Sequence, residues 1–354
     1  MPNRIGAQAL AIGSMLLCLT PAAGASEPAD YRIARVVPLA DGGIGWDHLS
    51  IDSANRHVFI GRGPAGLTVL DADTGAFVGS VAETAGSHGA SVAADLGLGF
   101  SDNGNGGDVT IFDLKTLKPL GHVVAGETTD GVFYDPWTKT VLVNNGETGR
   151  VTLFDPITRK VLADLDLETK KPEFAVANGK GEIFIDLQDR NAVARIDMRT
   201  RAVTAAWTIA GCELPSSIAY DPQADRLLVG CRGKAPVMAA VDAATGRVVA
   251  TVPIGLGNDW AEFDPATQSA LFANGQSATL TIVAERDAEH FAEAETVGTR
   301  PLSRTGALDP VTGTVFLMTA QYHRAGPGPD NKPGKMTIEP GTAEVVMLTN
   351  RAKR

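Results

Sequence analysis

Seven polar residues recur along this chain at a spacing that could gather them around one axis: Asp47, His88, Asp130, Glu173, Ser216, Asp259 and Arg304. Successive members lie 41, 42, 43, 43, 43 and 45 residues apart. Four are carboxylates, and carboxylates held together repel unless a cation, a proton or water offsets them. Asp47, His88, Asp130, Glu173 and Asp259 are therefore candidate ligands for a divalent cation. Oxygen donors favour Ca2+ or Mg2+, and participation of the His88 imidazole admits a transition metal. Arg304 could orient a carboxylate of a ligand bound beside that cation. Trp46 precedes Asp47 and Trp260 follows Asp259, so aromatic surface is expected at two points beside the set. Taken singly, each of these polar residues reads more readily as a partner for loop N–H groups or channel water. The departures from uniformity at His88, Ser216 and Arg304 favour an asymmetric ligand over a repeated scaffold contact.

Each residue is the second of a recurring segment: WDHLSID (46–52), SHGASVA (87–93), TDGVFYD (129–135), PEFAVAN (172–178), PSSIAYD (215–221), NDWAEFD (258–264) and SRTGALD (303–309). A period in the low forties, built of short strand-like runs broken by Gly and Asn, predicts an all-β seven-bladed β-propeller with four antiparallel strands per blade. The first strand of each blade then lines the central channel, and the polar set rings one of its mouths. Strict alternation turns His48 away from the channel.

Blade 3 reads as GVFYD, KTVLVNN (139–145), RVTLFD (150–155) and KVLADLDL (160–167), with Asn145-Gly146 supplying the positive φ of a tight hairpin. An Asp-x-x-Thr turn recurs at Asp71/Thr74, Asp113/Thr116, Asp155/Thr158, Asp197/Thr200 and Asp242/Thr245. Its side chains are expected to bond the turn's own backbone, a structural role. The last repeat supplies three strands, and the spare run 31–39 (YRIARVVPL) is expected to add the fourth and close the ring. Residues 321–341 interrupt blade 7 between its second and third strands, on the face that carries the polar ring. They are expected to form a loop without secondary structure, long enough to bring His323 or Arg324 near the channel.

Residues 1–25 combine Arg4, the apolar run AQALAIGSMLLCL, Pro21 and a small-residue A-x-A site, the pattern of a cleaved secretory signal. The apolar run is too short for a permanent membrane span. The mature chain, 26–354, is expected to be one propeller domain, monomeric and periplasmic or secreted. Two of its residues are cysteines, Cys212 and Cys231. They lie before the first strand and at the end of the second strand of blade 5, which an antiparallel pairing brings together as a disulfide. The whole chain carries 31 basic and 41 acidic residues, a net charge of −10. Loss of Arg4 with the leader makes it −11. Such a chain, with no dense Lys/Arg tract, lacks the electrostatic footprint of a nucleic-acid or anionic-lipid binder.

Second strands that read HVFIGR, TVLVNN, RLLVGC, ALFANG and TVFLMT, with third strands TVLDADTG and AVDAATG, resemble the YVTN-type repeat family. More narrowly the chain is similar to YncE-like exported seven-bladed propellers, over nearly all of the mature sequence. The resemblance implies fold and the binding of varied partners, and no particular reaction. No G-x-S-x-G elbow, H-E-x-x-H pair or phosphate-cradling glycine loop is present. The sequence thus reads as an exported, non-catalytic scaffold with no assigned catalytic residue. It binds a partner protein or small ligand at the channel mouth through Asp47, His88, Asp130, Glu173, Asp259, Arg304, Trp46 and Trp260. The alternative is a metal-dependent lyase or lactonase that uses the channel carboxylates and His88.

Overall fold

The computed structural model describes Met1 and residues 30–40, 42–326 and 334–351. The leader assigned to 1–25 lies, beyond Met1, outside the described residues. Seven four-stranded antiparallel sheets form the ring of a β-propeller. The innermost strands contact one another in sequence around the axis, from Leu49–Asp52 through Ala90–Ala93, Thr129–Asp135, Pro172–Ala177, Pro215–Asp221 and Asn258–Asp264 to Gly306–Leu308 and back. The expected strands of blade 3 are present as Thr129–Asp135, Thr140–Asn145, Arg150–Phe154 and Val161–Asp166. No helix among the described residues is long and apolar enough to cross a membrane.

Second and third strands are buried on both faces because each is sandwiched between neighbouring blades. Thr140–Asn145 and Ser269–Asn274 are buried throughout, whereas the outer strand Val161–Asp166 is largely open to solvent. The apolar cores accordingly lie between blades. Leu271, Ile282, Leu317 and Val346 of blades 6 and 7 form one such cluster. The ring closes as expected. Tyr31–Pro38 pairs with Glu344–Asn350 in the register Tyr31↔Asn350 to Pro38↔Glu344, and Tyr31 is fully buried against blade 6 residues.

The Asp-x-x-Thr turns bond their own backbone. In the first of them the Thr74 amide donates to Asp71 Oδ1 at 2.8 Å and the Thr74 hydroxyl at 2.6 Å. The Asp113, Asp155, Asp197 and Asp242 turns repeat the amide contact. Gly75 and Gly246 take the left-handed position at φ 73°. One turn differs from expectation. The left-handed residue between the second and third strands of blade 3 is Gly149 (φ 70°), whose amide donates to Asn145 O, and not the Asn145-Gly146 pair. Gly146 is instead pressed against Asp130, where a Cβ would sit 2.5 Å from Oδ2.

Cys212 and Cys231 form a disulfide, with Cα atoms 5.3 Å apart. The insertion in blade 7 is more ordered than its composition suggests. Tyr322–Arg324 pairs with Met336–Ile338 as a two-stranded ribbon, and residues 327–333 lie outside the described part. Ile338 seats the ribbon on the core cluster that contains Trp46. His323 Nε2 lies 2.5 Å from Glu339 Oε1, so its ion pair stays within the insertion.

Candidate functional site

The first strands do not enter their sheets with regular alternation. In blades 3, 4, 5 and 6 the register slips at Thr129/Val132, Pro172/Ala175, Pro215/Ser217 and Asn258/Ala261. Blade 1 does the same by another route: Asp47 N donates to Gly61 O while Gly61 N donates to His48 O. Two consecutive residues thus face one partner, the geometry of a β-bulge, and the alternation is reset. His48 consequently lines the channel, contrary to the alternation argument. In blade 2 the fully buried Asp102 performs the capping. Its Oδ1 accepts the amides of His88 and Gly89 at 3.2 and 2.8 Å.

The ringed side chains meet as a chain of alternating charge. Glu173 Oε1 lies 3.4 Å from Lys171 Nζ, which is 3.8 Å from Asp130 Oδ2. Asp130 Oδ1 is 2.8 Å from His88 Nδ1, and the same nitrogen is 3.3 Å from Asp47 Oδ2. Asp47 Oδ1 accepts Arg304 Nη2 at 3.0 Å, and Arg304 Nε donates to Asp259 Oδ2 at 2.7 Å. Asp259 Oδ1 completes the series by accepting Arg232 Nη1 at 3.0 Å. The four carboxylates are therefore not a bare concentration of negative charge. Lys171 and Arg232, absent from the aligned set, interleave with them and balance the charge. Ser216 is apart from the chain; it is fully buried and its hydroxyl donates to Asn258 O.

The two tryptophans depart further from expectation. Trp260 is 2% exposed and packed between blades 6 and 7. Trp46 is 7% exposed in the core shared by blades 1 and 7, although its edge borders a cleft of about 210 Å³ beside Asp47 and His88. Neither offers an open aromatic face. The bulged backbone turns Trp260 into the blade interface, where Gly306 leaves room for the indole.

Electrostatics divide the carboxylates. Burial pushes Asp47 up, but His48, the His88 ring and Arg304 outweigh it and hold Asp47 well below the usual range. Asp130, then Asp47, raise His88 to about 10. Burial raises Glu173 to about 7, with Asp259 and Asp130 adding to the rise and Lys171 opposing it. Burial likewise lifts Asp102 to about 7, against the pull of His88 and the Gly89 amide. Asp186, buried behind Glu173, is raised strongly by burial and by that neighbour. His88 Nδ1 is itself buried, and despite the short distances no oxygen lies along its N–H direction. The distances establish an ion-pair cluster centred on His88.

Below the mouth the channel opens into a chamber of about 350 Å³ with mostly apolar walls, into which His48, Phe133, Phe174 and Glu262 project. Phe174, Ala175 and Glu262 also border a second chamber of about 470 Å³ towards the opposite face.

Comparison with known proteins bears on the fold. No protein-family model and no curated protein matches the sequence. A chain of the crystal structure of a mitotic checkpoint complex is similar over 99% of both chains, with a TM-score of 0.71 and 14% identity. A chain of hydrazine synthase from Kuenenia stuttgartiensis is similar over 86% of this chain and 96% of its own, with a TM-score of 0.67 and 14% identity. At such identity the likeness is one of propeller architecture alone.

Proposed function

We propose that this is an exported, YncE-like propeller that binds a small ligand or partner protein at the charged mouth of its channel, with a divalent cation held by Asp47, His88 and Asp130. The observation that carries the reading is convergence: one donor atom from each of the three lies within 4.8 Å of the others. Both carboxylates are oriented from behind. Asp47 gives one oxygen to Arg304 and Asp130 one to Lys171, and each turns the other toward His88. Such outer partners fix ligand direction in metal sites. One nitrogen and two oxygens suit a transition metal better than Ca2+. Glu173 and Asp259, which the sequence would add as ligands, are engaged by Lys171 and by the two arginines and stand outside this group.

Calorimetric titration of chelator-treated protein with Zn2+, Mn2+ and Ca2+ tests the reading. One transition-metal ion per chain is expected, bound with proton release from His88 and weakened roughly tenfold or more in His88→Ala. Absence of binding, or binding indifferent to His88→Ala, would defeat it. A second reading, a metal-dependent lyase or lactonase, is favoured by Glu173, a carboxylate near 7 at the same mouth and so poised as a general base. It requires that metal-loaded protein open lactones or cleave uronate polymers, and that Glu173→Gln abolish turnover while keeping the metal. Turnover that is absent, or unchanged in Glu173→Gln, removes that reading.

A further inference from the structure

We propose that the channel below the mouth is a second binding site, for a small organic cation that carries its ammonium group on an apolar body and seats it against Phe133, Phe174 and the carboxylate of Glu262. The site is distinct from the mouth and independent of any metal there.

Three observations carry this. The first is the setting of Glu262. It is the fifth residue of its segment, and the other six segments place Ser, Ser, Phe, Val, Ala and Ala there, so one blade alone brings a charge into the channel. Glu262 forms no ion pair among the described residues. Its side chain is open to the channel and lines both chambers, so a cation in the channel reaches the carboxylate directly.

The second observation is aromatic. His48 and Phe174 meet edge to face with ring centroids 4.6 Å apart, and Phe133 and Phe174 with centroids 5.9 Å apart. Aromatic faces attract a desolvated ammonium through the ring quadrupole. The third is space. Phe174 and Glu262 both border the chambers of about 350 and 470 Å³, so the aromatic ring and the carboxylate stand at their junction. Volumes of this order, apolar with few polar groups, are those of small-molecule sites. Charge complementarity then selects an amine over a neutral or anionic guest.

The test compares 2-phenylethylamine and benzyltrimethylammonium with neutral 2-phenylethanol, titrated into the full mature protein by calorimetry. Both cations are expected to bind wild type roughly tenfold or more tightly than the alcohol. Glu262→Gln should bring the amines to the level of the alcohol without lowering the melting temperature, since it removes an exposed charge that holds no ion pair among the described residues. Phe174→Leu should weaken the cations several-fold more than the alcohol. Equal binding of amine and alcohol to wild type, no binding of either cation, or retention of amine affinity in Glu262→Gln each overturns the proposal. The wild-type comparison decides the matter even if a variant fails to fold. Loss of the metal at the mouth in His88→Ala leaves these affinities unchanged.

Discussion

At the end of the channel opposite the charged mouth, five first strands close with an aspartate: Asp52, Asp135, Asp221, Asp264 and Asp309. All five are buried, and each accepts amides of the turn that follows, as Asp309 does from Val311 and Asp135 from Trp137 and Thr138. At the charged mouth the equivalent strand positions hold Asp, His, Asp, Glu, Ser, Asp and Arg, and six of the seven take side-chain partners from other blades or from the loops between them. The same duplicated strand is therefore uniform where it must cap a turn and varied where side chains share a common space. Repetition marks backbone need, and variation marks the end where side chains from different blades meet.

Breaking the ring removes both ends at once. Deletion of residues 31–38 strips blade 7 of its outer strand and uncovers Glu344–Asn350, and it should lower the melting temperature by on the order of 10 °C or more. Thermal unfolding followed by circular dichroism measures this; a change of a degree or two would show that closure is not shared between the termini. The comparison itself is tested by paired substitutions. Asp309→Ala, at the uniform end, abandons Ser53, Thr312 and the Val311 amide and leaves Arg56 to Asp73 alone. It should cost about 2 kcal/mol in denaturant unfolding. Asp130→Asn, at the varied end, should change stability by less than about 1 kcal/mol while impairing metal binding. If the two effects are reversed, the charged mouth is scaffold and the functional reading fails.

Replacing Cys212 and Cys231 by Ser should cost about 3 kcal/mol for a loop with a separation of 19 residues. It should also loosen Arg232, the residue after Cys231, and so weaken its pairing with Asp259. A stability loss with unchanged behaviour at the mouth would separate the staple from the site.

The two ends also differ in their response to pH. Folding raises Asp102 and Glu173 to about 7, so their protonated forms favour the native state. That contribution is complete below their unfolded values near about 4 and is lost as pH rises through 7. Asp309 behaves oppositely. Burial raises it, but bonds from Arg56, Thr312 and Ser53 outweigh burial and lower it, so its contribution is full above about 4 and is lost on acidification. Melting temperature should therefore fall between pH 5 and 8, and Asp102→Asn with Glu173→Gln should flatten that limb. Asp309→Asn should alter only the acid limb. A double variant that keeps the full slope between pH 5 and 8 would remove these two carboxylates as its source.

How much could be read in advance follows from which interactions are local. Blade number, the Asp-x-x-Thr turns, the closing strand and the Cys212–Cys231 pair rest on periodicity and on neighbours within a hairpin, and all were legible. The ring was legible only in part. Lys171 stands immediately before its segment and Arg232 immediately after a second strand, so aligning seven-residue segments passed over both. Arg232 left a signal, since Arg62 occupies the same position in blade 1, where it is fully buried and donates to the carbonyls of Gly43 and Gly45. Glu262 and His48 were hidden by the bulges, because one inserted residue exchanges the faces that a period of two assigns.

The amino-acid sequence by itself determined that seven sheets form, where most of them turn, how the ring closes and the identity of six of the polar residues that meet at the mouth. Those outcomes depend on apolar alternation and turn chemistry within some forty residues. Only the tertiary structure decided what the polar residues do to one another. Asp47 lies 257 residues from the Arg304 that holds it, and Arg304 lies 45 from Asp259. Electrostatic energy follows separation in space and enclosure from water, neither of which sequence distance measures. A ring that reads as a concentration of negative charge thus becomes, once folded, a balanced circuit with three donors converging at His88.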